Sequence, residues 1–278
     1  MTFADLSQAQ WLIYSGVLGL CMGSFLNVVI HRLPIMMERA WEADLAQAQG
    51  KDPVEQPRFS LLLPKSHCPA CKTPLRWWQN IPVFSYLVLR GKCGHCASPI
   101  SVRYPLIEAF TSALFLAVAA THSPGWLALA MMGFVACLLT LAVIDLDTYL
   151  LPDDITLPLM WAGLLVNMTI GQVPLESAVL GAALGYTLLW TIYQLFKVAT
   201  GKEGMGYGDF KLLAAMGAWL GAPALFSIIL FSSVFGIFFG LVIQTLRGKK
   251  KTDAFPFGPS LVVGAFAWLA GFDLMKWL

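Results

Sequence analysis

Apolar residues along this chain do not alternate with polar ones at a strand or helix period. They come in long runs, at about 11–30, 104–121, 126–144, 155–170, 175–198, 210–220, 224–246 and 260–278. Such runs predict helices that cross a bilayer, because about 20 apolar residues at 1.5 Å each match its ~30 Å hydrocarbon core. The run from Phe210 is short for a span. Of the 278 residues, 58% are hydrophobic and only 12% charged, which excludes an ordinary soluble domain. The expected fold class is an all-α polytopic membrane protein with about eight transmembrane helices.

Charge sets the expected orientation and decides the status of the short run. Asp5 is the only charge before the first run. A cleavable signal needs a basic leading region, so a retained helix with its N-terminus outside is expected. Eight spans then leave 31–103, 145–154, 199–209 and 247–259 inside. The first of these holds ten Lys or Arg, the last holds Arg247, Lys249, Lys250 and Lys251, and the outside turns at 122–125, 171–174 and 221–223 hold none. Removing the short span would place the "RGKKK" cluster outside, against the positive-inside rule. The short run is therefore kept as a span, thinned locally or buried among its neighbours.

This organisation gives three parts: a first transmembrane helix (1–30), a cytoplasmic insert (31–103) and a seven-helix membrane domain (104–278). In the insert, "MMERAWEADLAQAQGKD" has helical spacing and reads as a solvent-facing helix. After it stand Cys68, Cys71, Cys93 and Cys96, a C-x2-C-x21-C-x2-C array. Each C-x2-C turn can aim two thiolates at one ion, and two turns supply the tetrahedron that zinc accepts. A reducing compartment argues against structural disulfides. A redox pair or free thiols is the blander alternative. Four sulfurs complete a site, so His67 and His95 read as bystanders or outer donors. Cys21 and Cys137 lie in apolar runs and read as small buried side chains.

Acids at the membrane edge are the other chemistry. Asp153 and Asp154 follow Pro152, and helix N-capping accounts for at least one of them. Asp145 directly continues the apolar "GFVACLLTLAVI", where an acid is costly and points to function. Asp147, two residues on, faces elsewhere on a helix. Asp209 follows glycines 204, 206 and 208 and opens "FKLLAAMGAWL"; taken alone it reads equally well as a helix N-cap. Topology changes that. The third span ends inside at Asp145 and the sixth begins inside at Asp209, so both acids lie at one depth. Two carboxylates that meet share a proton. One can then take a proton from water while the other gives one to an amide oxygen, the division of labour of aspartic proteases. The bare glycine backbone can approach an extended peptide.

"GYGD" resembles the GxGD signature of intramembrane aspartic proteases. With "GSFLNVVIHRLP", the four cysteines, "SVRYPLIEAF", "IDLDTYLLPD" and "GYGDFKLLAAMGAWLG" in this order, the chain resembles the bacterial type IV prepilin peptidase/N-methyltransferases from about residue 16 onward. The resemblance implies a multi-pass enzyme of the bacterial inner membrane with its site on the cytoplasmic side. It implies cleavage of prepilin or pseudopilin leaders, in type IV pilus and type II secretion systems, after a glycine. Methylation of the new N-terminus from S-adenosylmethionine would follow. It places the catalytic pair on Asp145 and Asp209, and associates Cys68, Cys71, Cys93 and Cys96 with methylation. No Rossmann-type G-x-G-x-x-G follows a strand. The cofactor candidates are Glu108, Asn27 and Gly91, each with a structural alternative: pairing with Arg103, a helix–helix hydrogen bond and a knuckle turn. The alternatives are a GxGD protease for other membrane helices, or a transporter or zinc-sensing scaffold using the two acids as an ion site. Transporters favour midplane sites and internal repeats, and neither is found here. No nucleic-acid partner is expected.

Overall fold

The computed structural model describes residues 6–52, 57–247 and 256–276. Lys249, Lys250, Lys251 and the side chain of Arg247, which carried the expected orientation of the last loop, lie outside the described residues. Among the described residues the regular elements are helices, and extended pairing is limited to two isolated bridges, His67 with Pro74 and Lys92 with Pro99. The chain divides into two compact units, Met1–Ala136 and Cys137–Leu278.

The first unit is built on α1 (Gln8–Ala48) and α3 (Arg103–Thr121), with the short α2 (Phe84–Val88) between them and the start of α4 (Trp126–Thr148) after them. α1 is 41 residues long, and at 1.5 Å per residue it measures about 62 Å, twice the hydrocarbon core. The span and the solvent-facing helix expected as separate elements are one helix that runs through Pro34. Proline removes only one intrahelical hydrogen bond, and flanking turns can carry the rest. Glycine seats α1 on α3. A Cβ on Gly19 would come within 2.6 Å of the Ser112 Cα, and one on Gly23 within 2.6 Å of the Glu108 Cα. Small residues let membrane helices pack backbone to backbone where apolar burial gives no driving force. Ser112 Oγ donates to the Gly16 carbonyl at 2.8 Å, and Trp11 Nε1 to the His122 carbonyl at 3.2 Å.

The second unit holds the end of α4, then α5 (Asp153–Thr169), α6 (Leu175–Thr200), α7 (Tyr207–Leu220), α8 (Ala222–Arg247) and α9 (Gly258–Leu269). α7 is its axis, with every residue from Phe210 to Leu220 buried except Lys211. Of the two explanations for its shortness, burial among neighbours is the one observed. The Gly181-x3-Gly185 pair of α6 meets α7 directly: Cβ atoms there would lie 2.3 Å from the Gly217 carbonyl oxygen and 2.7 Å from that of Leu213. At its far end the Asn167 side chain donates to the carbonyls of Ala218 (2.9 Å) and Trp219 (3.2 Å), and Trp219 Nε1 donates to the Leu159 carbonyl at 2.7 Å.

Among the described residues five helices, α1, α3, α4, α6 and α8, are long and apolar enough to cross a membrane. α5 (17 residues), α7 (14) and α9 (12) are shorter. The run expected to span 260–278 stops as a helix at Leu269, ahead of Gly271 at φ +95°.

Candidate active site and metal centre

Asp145 and Asp209 are both buried, 4% and 6% exposed, on the last turn of α4 and the first turn of α7. Leu151 lies against a glycine beside each acid. A Cβ on Gly258 would lie 2.6 Å from Asp145 Oδ2 and 3.3 Å from Leu151 Cδ2; a Cβ on Gly208, adjacent to Asp209, would lie 2.8 Å from the Leu151 Cβ. The charge of Asp145 acts on Asp209. The Gly258 amide, at the first residue of α9, donates to Asp145 Oδ2 at 2.9 Å. A carboxylate at a helix N-terminus meets unpaired amides and the positive end of the helix dipole. Asp147 is exposed, two residues further along the same helix.

Three expectations are corrected here. Asp209 is not an N-cap: Gly206 caps α7 and Asp209 is its third residue. Neither Asp153 nor Asp154 caps α5; Pro152 does, and both acids lie in the first turn, where the dipole favours them. Asp153 instead grips Lys211 Nζ at 2.7 and 2.8 Å, tying α5 to α7 two residues beyond Asp209. The three glycines also differ. Gly204 packs under Phe196 and Gly208 against Leu151, while Gly206 is exposed, in extended backbone, with Asp209 Oδ2 3.8 Å from where its Cβ would be. Only Gly206 offers open backbone beside the acid. Tyr207, Phe210 and Tyr193 form an aromatic cluster with centroids 5.4–5.7 Å apart that fixes the turn.

The four cysteines converge, their Sγ atoms all within 4.8 Å of one another, with Cys68 and Cys96 at 3.9 Å. Zinc at ~2.3 Å from four sulfurs needs them about 3.8 Å apart, so the cluster fits that ion. The knuckles repeat each other with an offset of 25 residues. The Cys68 amide donates to Thr73 and that of Cys93 to Ser98; Lys72 to Cys68 and Ala97 to Cys93; Leu75 to Ser66 and Ile100 to Gly91. Lys72 and Ala97 take the same left-handed turn at φ 58° and 57°. The repeat is written in the sequence as C-P-A-C-K-T-P-L and C-G-H-C-A-S-P-I. The Cys71 amide, the largest influence, holds the Cys68 thiol down to about 6, and Ser98 lowers that of Cys96. Both favour the thiolate that binds metal. His67 hydrogen-bonds the Lys65 carbonyl at 2.9 Å through Nδ1 and stays outside the cluster, as does His95. Cys21, expected to be buried, is exposed on α1, because an apolar run does not distinguish a lipid-facing position from a packed one.

The first unit also forms an open-sided cavity of about 430 Å³, floored by α1 and α3 and walled by the knuckles. Glu108 and Asn27 line it; Gly91 does not. Glu108 is buried, and its Oε2 accepts from the Val83 amide at 2.7 Å. Asn27 Nδ2 donates to the carbonyls of Gly23 and Tyr104, both at 3.2 Å, so its structural alternative, helix-to-helix bonding, is present alongside its place in the cavity. Gly91, at φ +68°, leaves room for Tyr86, whose hydroxyl would stand 2.9 Å from a Cβ there. Tyr86 lines the cavity, so Gly91 acts on it through that ring.

Residues 17–122 match the bacterial peptidase A24 N-terminal domain, and residues 132–241 match the type IV leader peptidase family. The chain is 50% identical over 272 residues to a prepilin leader peptidase/N-methyltransferase of Aeromonas hydrophila, covering 96% of this chain and 94% of that one. It is 50% identical to the protein of that name from Burkholderia pseudomallei strain 1026b (96% and 87% covered) and 47% identical to that from Pseudomonas putida (97% and 93%). The chain belongs to the prepilin leader peptidase/N-methyltransferase family. No solved structure matches it.

The two family matches divide the chemistry: the cysteines, Glu108 and Asn27 fall in the first and both aspartates in the second. Gly258 lies beyond both. It escaped the sequence reading, although "FGPS", with proline at the second helical position, marks a helix start. That this helix start meets Asp145 is a tertiary fact that no local pattern carries.

Proposed function

We propose that this protein is a bifunctional enzyme that cleaves prepilin or pseudopilin leaders after a glycine and then methylates the new N-terminus. The observation that carries the peptidase reading is the pair of buried carboxylates, Asp145 and Asp209, beside the open backbone of Gly206. One carboxylate takes a proton from the attacking water. The other gives a proton to the oxygen of the scissile amide; as the C–N bond breaks, the first passes its proton to the leaving amine and the second recovers its own from the collapsing gem-diol. Gly206, bare and extended, hydrogen-bonds the unwound peptide alongside. The Gly258 amide holds Asp145 in place.

The methyl-transfer reading rests on the cavity of the first unit. Its volume suits a nucleoside-sized ligand. Tyr86, Tyr104 and Phe59 offer aromatic faces to a purine or a sulfonium, and Glu108, Asn27 and Ser24 offer polar groups. S-adenosylmethionine would supply the methyl group there. Glu108 is placed to take the proton that the substrate ammonium must lose before its nitrogen can attack. The four cysteines hold zinc as a structural ion that keeps the knuckle wall of the cavity folded.

The functional divisions are 1–30, 31–103 and 104–278, in eight spans, with α5, α7 and α9 completing the five longer ones. The protein resides in the bacterial inner membrane with its N-terminus outside and both sites on the cytoplasmic side, serving type IV pilus or type II secretion assembly. The test is incubation of the purified protein with a leader-bearing pilin and S-adenosylmethionine, read by intact mass. Loss of the leader and gain of one methyl group is the expected product. A transporter-like protein would leave the pilin unchanged.

A further inference from the structure

Two tips of the first unit carry large apolar side chains that none of the described residues covers. One is the segment through α2, with Trp77 81%, Phe84 58%, Leu87 67% and Val88 55% exposed. The other is the turn at Leu62 and Leu63, 82% and 50% exposed. Each tip is pinned to a membrane-crossing helix by a buried charged side chain. The Val83 amide, at the cap of α2, donates at 2.7 Å to Glu108, on the second turn of α3. Arg32, 8% exposed on α1, donates to the carbonyls of Ser60 (2.9 Å), Leu61 (3.2 Å) and Pro64 (2.6 Å), clasping the turn that bears Leu62 and Leu63. Arg32 stands two residues past the first apolar run and Glu108 lies near the start of the second. Both tips are thereby held beside the ends of these two apolar runs.

We propose that the two tips are interfacial anchors. Trp77, Phe84, Leu87, Val88, Leu62 and Leu63 lie at the boundary between headgroups and acyl chains. Apolar and aromatic groups at that depth gain burial without leaving water entirely, and Trp is enriched there. Charge fits the same occupant. Lys65, Arg76, Arg90 and Lys92 are exposed around the tips, a basic rim that attracts anionic headgroups. The lipid surface is preferred to a protein partner because the hydrogen bonds fix the tips beside the ends of the apolar runs whether or not a partner is bound. The consequence is mechanical. The Val83 amide links one anchor to Glu108, so the bilayer surface steadies the wall of the adjoining cavity.

The experiment uses the full chain in nanodiscs, with an environment-sensitive fluorescent amino acid placed singly at Leu87, at Leu62 and, as reference, at the exposed Gln47 near the end of α1. Each protein is read for emission, for quenching by aqueous iodide and for quenching by lipids with a nitroxide at the headgroup. Retained metal content verifies the fold. The proposal expects blue-shifted emission, lost iodide quenching and strong headgroup-nitroxide quenching at Leu87 and Leu62, with the opposite at Gln47. Arg90→Gln with Lys92→Gln should weaken the lipid quenching more in anionic than in zwitterionic discs. Iodide access at both tips equal to that at Gln47 overturns the proposal. So does shielding that arises only when a pilin is added, which would assign the tips to substrate, or only when discs hold several copies, which would assign them to self-association.

Discussion

Around Asp209, helices touch through their backbones. Gly181, Gly185 and Gly217 each stand where a Cβ would meet facing backbone at 2.1–2.7 Å, Gly208 stands where one would meet the Leu151 side chain at 2.8 Å, and the acid is buried beside the exposed Gly206. Around Cys68 there is little packing to do that work. The knuckle residues are mostly exposed or half-exposed, and local turns hold them around the sulfur cluster. Close packing suits a site where water must be admitted sparingly and two carboxylates must stay in register. A loop that a metal ion would cross-link suits the proposed methyl-transfer site, which must take up a soluble cofactor and release its product. The two chemistries therefore depend on different forces and should fail separately.

Asp145→Asn and Asp209→Asn should break the first region most completely. Each removes a proton carrier, with an expected loss of cleavage of roughly 10³-fold or more, measured on purified protein that still inserts and folds. Asp147→Asn should retain most activity, since that exposed side chain is two residues off the site. A dead Asp147→Asn beside an active Asp145→Asn would move the dyad.

Gly258→Ala sharpens the packing claim. The added Cβ would stand 2.6 Å from Asp145 Oδ2, so carboxylate or helix must shift. Misplacement on the order of 1 Å costs about 10²-fold in rate. The kinetic signature is a fall in kcat with KM little changed.

Cys68→Ser with Cys71→Ser tests the second region. Metal analysis should find about one zinc per chain in the parent, as one tetrahedral site requires, and none in the variant. Methyl transfer should fall far more than cleavage. Equal loss of both in a folded variant would mean that the peptidase also needs the metal fold.

Lys211→Met is the mildest change. It leaves Asp153 at the start of α5, where the helix dipole still favours it, and removes a partly exposed ion pair. Such pairs contribute about 0.2–1 kcal/mol, so the melting point should drop slightly and cleavage change no more than a few-fold.

What the sequence conveyed follows from where the information is local. The acid ending an apolar run, the acid after the glycines and the paired C-x2-C turns are readable because each spans only a few residues. Depth singled out Asp145 and Asp209 as the pair, and both prove to be buried at helix ends. The seating of those groups was not readable. Gly258 meets Asp145 across 113 residues, Asp153 meets Lys211 across 58, and Val83 turns its amide to Glu108 across 25. Single positions also misled where two environments share one composition. Cys21 reads as buried because lipid and core are equally apolar. Asp153 and Asp154 read as caps because acids suit either the cap or the first turn. The knuckle repeat was legible and went unread, since attention to cysteine spacing passes over the Thr-Pro and Ser-Pro that close each turn.

The central claim is that cleavage and methylation are carried out by separately built sites, and mature pilin tests it most directly. A pilin already cut, with a free N-terminal amine, is given to folded, membrane-inserted Asp209→Asn with S-adenosylmethionine, and its N-terminal peptide is weighed. The account predicts methylation at a rate close to that of the parent, although the same variant leaves uncut prepilin untouched. An Asp209→Asn protein that keeps its metal and binds S-adenosylmethionine yet cannot methylate the ready-made N-terminus would contradict it, and would make the two activities one composite site.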